Sequence, residues 1–294
     1  MELCYTFEVG SLTCHLLEGG RQWLDGGAMF GVVPRPLWEK KIPPDDRNRI
    51  PLALRCLAVE HPAGLVLVDT GIGNKESAKF HDIYGVANAG QAGATQLEDA
   101  LAAAGHRPED VRWVINTHLH FDHAGGNTRL SAGGGEAELA FPGAVYVVQE
   151  RELEFARHTN ERTRASYFPA NFEPLAVADR WRLIDGPAEI VPGISGLPTP
   201  GHVPGHQSIL VQDGGESALF LGDLAPTAAH VPLPWIMGYD LEPLVTLESK
   251  RALLGQALAE DWLLLFEHDA AVRAGRVTEG RRGLEVTAPV RLTG

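Results

Sequence analysis

The chain is poor in cysteine, in basic side chains and in long apolar runs, and each shortage removes a class of protein. Its three cysteines, Cys4, Cys14 and Cys56, are too few and too odd in number for a disulfide-stapled secreted scaffold. They are expected as packed, free thiols in a cytoplasmic protein, with no catalytic part. Lys and Arg total 25 against 38 Asp and Glu, a net charge of −13. That sign is wrong for gripping a phosphate backbone, and no dense basic block offsets it, so no nucleic-acid partner is expected. No apolar run reaches the roughly 18 residues needed to span a bilayer, which argues against a membrane protein. The start, Met1-Glu2-Leu3-Cys4, lacks the basic and then apolar pattern of a signal peptide. What is present is 44% hydrophobic content over 294 residues, enough for a large core. We read residues 1–294 as one domain.

One short stretch organises the rest. Val111-Arg112-Trp113-Val114-Ile115 is a β-branched run expected to be a buried strand. It leads into Asn116-Thr117-His118-Leu119-His120-Phe121-Asp122-His123-Ala124, followed by the turn signal Gly125-Gly126. Three histidines and an aspartate are thus placed just past the C-terminal end of a strand, where open α/β sheets put their chemistry. In an extended segment His118 and His120 share a face. Asp122 and His123 follow as the chain bends and can serve a second site beside the first. Imidazole and carboxylate together suit zinc and its first-row neighbours.

The chain on either side is legible in part. Residues 3–17 read as two strands turning at Gly10-Ser11. Residues 19–51, rich in Gly, Pro and charge, carry Trp23, Phe30 and Trp38 with little periodicity. This reads as one long loop, a lid over the site, a dimer contact or a packed surface loop. A hairpin over residues 52–71 ends in Asp69-Thr70-Gly71, where the carboxylate can orient a metal-bound histidine. Thr95 caps a helix that Gly105 stops. Residues 131–135 look like a flexible insertion. Strands follow at 144–148, 181–184, 189–191, 208–211, 218–223 and 262–266, with helices over 150–157 and 246–259. The irregular stretch 158–175, with Tyr167, Phe168 and Phe172, is expected to line a substrate pocket. Three further ends carry ligand-type residues: His202, Asp223 and His268. With the central stretch they make five histidines and two aspartates, too many for one tetrahedral ion and suited to two that share a carboxylate.

His202 and His206 compete for one role. Pro200-Gly201 and Pro204-Gly205 forbid a helix that would put both on one face, and Gly201 lets the backbone come close beside His202. His206 is expected to hold the loop by hydrogen bonding.

In the motifs His118-x-His120-x-Asp122-His123, Gly201-His202, Gly222-Asp223 and Glu267-His268, with Asp69-Thr70-Gly71 upstream, the chain resembles the metallo-β-lactamase-fold hydrolases. The match runs in the family's order over roughly residues 50–270. The resemblance implies an α/β four-layer αββα sandwich, two mixed β-sheets flanked by helices. It implies that His118, His120 and His202 bind a first metal, that Asp122, His123 and His268 bind a second, and that Asp223 bridges them. Zinc is expected, with Fe, Mn or Co as alternatives. A metal-bridging hydroxide would attack a small-molecule ester or lactone, with Asp122 relaying the proton and Asp69 and His206 supporting the ligands. Di-iron redox relatives have glutamate where His120 stands. The segment from Thr199 to Ser208 is very like that of N-acyl-homoserine lactonases, the quorum-quenching branch that also holds organophosphate hydrolases. Some of those lactonases carry a tyrosine where Pro226 stands here. His230 and Tyr239, in a stretch with Trp235, are candidates to replace it, and Phe30 and Trp38 are candidates for the substrate pocket. The expected function is a lactonase. The alternatives are a phosphotriester or aryl-ester hydrolase, a glyoxalase-II-like thioesterase, or a non-enzymatic metal or redox binder, as a monomer or a homodimer.

Overall fold

In a computed structural model, which describes residues 2–130, 135, 137–281, 283–287 and 292, the chain opens with a hairpin. Strand β1 (Cys4–Val9) pairs with β2 (Leu12–Asp25) across Gly10-Ser11. β2 does not stop at residue 17, where its sequence signal ends. It continues through Gly19-Gly20 by a register shift between Glu18 and Arg21, against β3 (Arg49–Glu60). Between these strands lie two short helices, α1 (Gly26–Phe30) and α2 (Arg35–Trp38). Residues 19–51 are therefore not one loop: strand stands at both ends, with two short helices and turns between. A bulge breaks the two-residue alternation, and helices of four or five residues are too short to show a 3.6-residue repeat. These helices are anchored by Phe30, which stacks on Trp38 at 5.3 Å and on His230 at 4.7 Å, with Met29, Ile50, Leu52 and Met237 around them.

Next come β4 (Leu65–Val68), α3 (Ala78–Tyr84), α4 (Gln96–Ala103), β5 (Val111–Ile115) and the single turn α5 (Phe121–Ala124). A small hairpin, β6 (Thr128–Leu130) and β7 (Ala137–Leu139), flanks the expected insertion, whose residues 131–134 lie outside the described residues. Then follow β8 (Val145–Gln149), α6 (Glu150–Arg157), α7 (Glu173–Val177) and β9 (Trp181–Ile184). The first sheet has the order β1-β2-β3-β4-β5-β8-β9. The second runs in sequence order through β10 (Ala188–Val191), β11 (Ile194–Pro198), β12 (Gln207–Asp213), β13 (Glu216–Phe220), β14 (Leu263–Leu265), β15 (Ala274–Gly280) and β16 (Gly283–Thr287). The long helix α8 (Pro243–Ala259) joins β13 to β14. It starts earlier than its apolar pattern indicates, because Pro243 occupies the first turn, where a missing N–H costs nothing.

Side-chain alternation creates the layers. In β3 and β4, Leu57, Val59, Val66 and Val68 face the second sheet's Ile194, Ile209, Val211 and Phe220. Their neighbours Cys56, Ala58, Leu65 and Leu67 face outward onto Leu97, Ala100 and Leu101 of α4. On the other side Leu210, Leu219 and Leu264 pack against Leu253, Leu254 and Ala257 of α8. The result is the expected αββα sandwich. β4, β5 and β8 run parallel to one another, as do β13 and β14. Their C-terminal ends, and the loops that follow, meet along one edge.

Trp38 is only 2% exposed, and removing it leaves a void beneath the Phe30 stack. Trp38→Ala should cost about 3–5 kcal/mol of unfolding free energy in a denaturant titration. An unchanged midpoint would mean that α1 and α2 are not held by this cluster.

Candidate metal centre

The edge gathers every ligand-type residue singled out above. His118 and His120 leave the end of β5, Asp122 and His123 sit on α5, and His202 lies in the β11–β12 loop. Asp223 follows β13 and His268 follows β14. Ligand atoms of His118, His120, His202 and Asp223 all lie within 4.8 Å of one another, as do those of Asp122, His123 and His268. All seven side chains are buried or nearly so. Two glycines allow this crowding. Gly222 has φ +54°, and a Cβ there would meet His206 Nε2 at 2.9 Å. Gly201 has φ +133°, and a Cβ there would stand 2.3 Å from the backbone nitrogen of Thr246. Both are conformations that only glycine adopts without strain.

Four of the five imidazoles, those of His118, His123, His202 and His268, are held by their outer nitrogen. His123 Nδ1 lies 3.0 Å from Asp69 Oδ2 and 3.2 Å from Glu267 Oε2. His202 Nδ1 is 2.9 Å from Asp240 Oδ1, and His268 Nδ1 is 2.8 Å from the carbonyl of Ala53. His118 Nδ1 is 3.0 Å from Thr117 Oγ1, whose own proton goes to Asp69 Oδ2 at 2.6 Å. Carboxylates and carbonyls only accept, so in their neutral form these four rings carry their hydrogen on Nδ1 and turn a bare Nε2 inward. The inward nitrogens crowd one another. His118 Nε2 is 3.0 Å and His202 Nε2 is 3.1 Å from His120 Nδ1, and His123 Nε2 is 3.2 Å from His268 Nε2. Where two such bare nitrogens face each other, as those of neutral His123 and His268 do, their lone pairs repel unless a proton or a metal ion lies between them.

Asp223 faces both groups. Its Oδ2 is 3.1 Å from His202 Nε2, and its Oδ1, buried and without a hydrogen bond, is 3.2 Å from His268 Nε2. The donor set, nitrogen and carboxylate oxygen at ligand spacing, suits divalent metal ions. The charge state without an ion reflects the same crowding. Burial and the neighbouring imidazoles hold His118 and His120 far below the usual histidine range. Burial would lower His268 too, but Asp223 and Glu267 carry it up to about 9. Burial would raise Asp223, yet His202, His123 and His268 draw it well below the usual carboxylate range.

His206 is built differently. Its Nδ1 meets Thr199 Oγ1 at 2.8 Å, and its Nε2 accepts the backbone N–H of Asp223 at 3.0 Å. Both nitrogens are committed, and burial lowers it to about 3. Three supporting residues carried no local signal: Asp240 behind His202, Glu152, which accepts the Leu119 N–H at 2.9 Å, and Gln22, whose Nε2 donates to Asp122 Oδ2 at 2.5 Å. Gln22 is inward because of the β2 bulge, 100 residues from its partner.

A cavity of about 360 Å³ opens over the cluster, with His120, Asp122, His202, Asp223 and His268 at its floor. Leu24, Ala28 and Met29 form one wall, and Met237, Tyr239 and Leu241 another. Of the five expected pocket residues only Tyr239 lines it. Phe30, Trp38, His230 and Trp235 instead form the packed layer behind the wall, and His230 spends both nitrogens on Met29 O and Thr227 Oγ1. Likewise Tyr167 and Phe172 are core residues, and it is Arg162, Thr163, Ala165 and Ser166 that line the cavity. Beyond Arg162, Met237, Gly238 and Leu241, which line both, lies a larger groove of about 1010 Å³ walled by Val32, Leu233, Ile236, Leu244 and Leu247.

Known proteins share this architecture. The sequence profile of the metallo-beta-lactamase superfamily matches residues 51–268. An N-acyl homoserine lactonase from Bacillus sp is 32% identical over 234 residues, which is 76% of this chain and 84% of that protein. The crystal structure of a probable metal-dependent hydrolase from Staphylococcus aureus superposes with a TM-score of 0.86 at 32% identity, covering 97% of this chain and 98% of that one. An N-acyl homoserine lactone hydrolase, with the product N-hexanoyl-L-homoserine bound at its catalytic metal centre, superposes with a TM-score of 0.66 at 26% identity, covering 90% and 95%. With the profile spanning most of its length and a third of its residues shared with such relatives, the chain belongs to the metallo-β-lactamase superfamily.

Proposed function

We propose that this metal-dependent hydrolase opens the lactone ring of N-acyl homoserine lactones at a centre of two divalent ions, with zinc as the resident metal. The observation that carries the reading is the set of inward imidazole nitrogens, clustered at ligand spacing in two groups to which Asp223 turns one oxygen each. His118, His120 and His202 would hold one ion, Asp122, His123 and His268 the other, and Asp223 both. When bound, such ions bring the pKa of water down to about 7 and polarise the acyl carbonyl.

The chain's own residues supply the rest. Gln22 fixes the Asp122 carboxylate, which takes the proton from the water whose oxygen adds to the acyl carbon and passes it to the ring oxygen as the acyl–oxygen bond breaks. Tyr239 is 39% exposed on the cavity wall, and an ordinary phenol has a pKa of about 10. It therefore keeps its proton at neutral pH and donates a hydrogen bond to the substrate from the cavity wall, the role for which His230 has no free nitrogen. The apolar groove beyond Met237 and Leu241 receives the acyl chain. Three unpaired cysteines fit a reducing cytoplasm.

Purified protein should hydrolyse acyl homoserine lactones with kcat/KM rising from butanoyl to decanoyl, ahead of thioesters, aryl esters and phosphotriesters. Tyr239→Phe should lower the lactone rate on the order of 10²-fold, as loss of a donor to developing charge does. Preference for a phosphotriester or a thioester would overturn the substrate assignment.

Elemental analysis separates the residue roles. Asp223→Ala should strip metal and abolish turnover. Asp69→Ala, which only releases His123 and Thr117, should cost about 10–100-fold. Equal severity of the two in metal content and rate would refute this division.

His202→Ala should lose metal and nearly all turnover. His206→Ala should keep its metal and lose about 1–3 kcal/mol of stability, because the Asp223 N–H is left unpaired. The reverse pattern of metal content would reassign the ligand.

A further inference from the structure

We propose that His15, Glu60 and His106 form an auxiliary binding site for a borderline transition-metal ion such as zinc, separate from the catalytic cluster. Their ligand atoms lie within 4.8 Å of one another. His15 Nε2 is 3.1 Å and His106 Nε2 is 2.9 Å from the same oxygen, Glu60 Oε1. Two imidazoles and one carboxylate with a remaining open position are an established donor set for zinc. Zinc–nitrogen bonds of 2.0–2.1 Å in a tetrahedron put neighbouring donors about 3.3 Å apart. The two nitrogen–oxygen spacings need to widen by only a few tenths of an ångström, and the two imidazole nitrogens already lie within 4.8 Å of each other.

The site is preformed on one side and open on the other. The His15 side chain is 8% exposed, that of His106 is 21% and that of Glu60 is 44% exposed. His15 is rigid within β2, and its Nδ1 is 3.0 Å from Thr6 Oγ1. In the metal-free protein both Nε2 atoms donate to the carboxylate. On binding, each imidazole turns Nε2 to the ion as a lone pair and carries its proton on Nδ1, where Thr6 Oγ1 accepts it for His15. The hydroxyl serves either tautomer, so His15 keeps its hydrogen bond to Thr6 while the ion replaces the one to Glu60.

Position sets this site apart from the catalytic centre. Ala53, whose carbonyl holds His268, lies near the beginning of β3, and Glu60 is the last residue of that strand. At about 3.3 Å per residue the two are roughly 23 Å apart. His106 precedes β5, at the end of that strand opposite His118. An ion here ties β2, β3 and the connection between α4 and β5 together, three segments that are distant in sequence. It stabilises the folded chain, because the unfolded chain does not bring these donors together.

The test uses full-length protein with the catalytic cluster loaded, dialysed against micromolar free zinc and counted by elemental analysis. Wild type should hold one more zinc per chain than His106→Ala or Glu60→Gln. Near 100 times the dissociation constant, zinc should raise the Tm of wild type by about 5 °C and leave both variants unmoved. In an Asp223→Ala background the one-ion difference should persist, which separates this site from the fate of the catalytic assignment. Equal zinc content in wild type and both variants, or an equal rise in Tm, would overturn the proposal.

Discussion

The site depends on the outer hydrogen bonds of its histidines. An imidazole can be buried with a bare nitrogen facing other bare nitrogens only if its opposite edge is held. Asp69, Asp240, Thr117 and the Ala53 carbonyl do that holding. Each fixes both the tautomer and the ring plane. A buried polar atom without a partner costs on the order of 1–3 kcal/mol, and several lie within a few ångströms here. The rest of the domain must supply enough packing to tolerate that cost. The charge pattern follows from the same crowding: His268 is driven up by Asp223 and Glu267, while Asp223 is driven down by the imidazoles around it.

The sandwich meets this demand through strand direction. β4 and β5 in one sheet, and β13 and β14 in the other, run parallel and end at the same edge. Each ends in a ligand-type or orienting residue: Asp69, His118, Asp223 and His268. The starting points of the loops are fixed by ladders buried between α4 and α8. β3 runs antiparallel to β4, so it brings the Ala53 carbonyl to the same edge and carries Glu60 to the opposite one. One sheet thus positions the proposed catalytic centre at one rim and the proposed auxiliary site at the other.

The walls of the cavity belong to different segments. α1, with Met29, and residues 235–241 lean together over the cluster, fastened behind by the Phe30, Trp38 and His230 stack. The aromatic layer is stacked and packed, whereas the two methionines that reach the cavity can fit irregular apolar shapes. A site assembled this way separates the polar centre, which the sheets hold, from an apolar mouth that can change without disturbing it. The proposed acyl-chain path follows that mouth into the groove beside α8.

Sequence alone determined the residue types that gather at the edge, their order and their attachment to strand ends. Apolar runs of period two, terminated by His, Asp and Gly, are local signals that tertiary context does not overrule. The family resemblance and the four-layer fold were legible from the same motifs. The division between His202 and His206 was also legible, because Pro and Gly around them forbid a helix. Only the tertiary structure decided what stands behind and around those residues. Gln22 meets Asp122 across 100 residues, and Asp240 meets His202 across 38. Residues 19–51 became strand and helix instead of loop, and Phe30, Trp38, His230 and Trp235 packed behind the cavity instead of lining it. Such partnerships are set by sheet register, by one bulge in β2 and by side-chain packing between distant segments. None of these leaves a periodic mark in the local sequence, which is why the centre could be read from the chain and its supports could not.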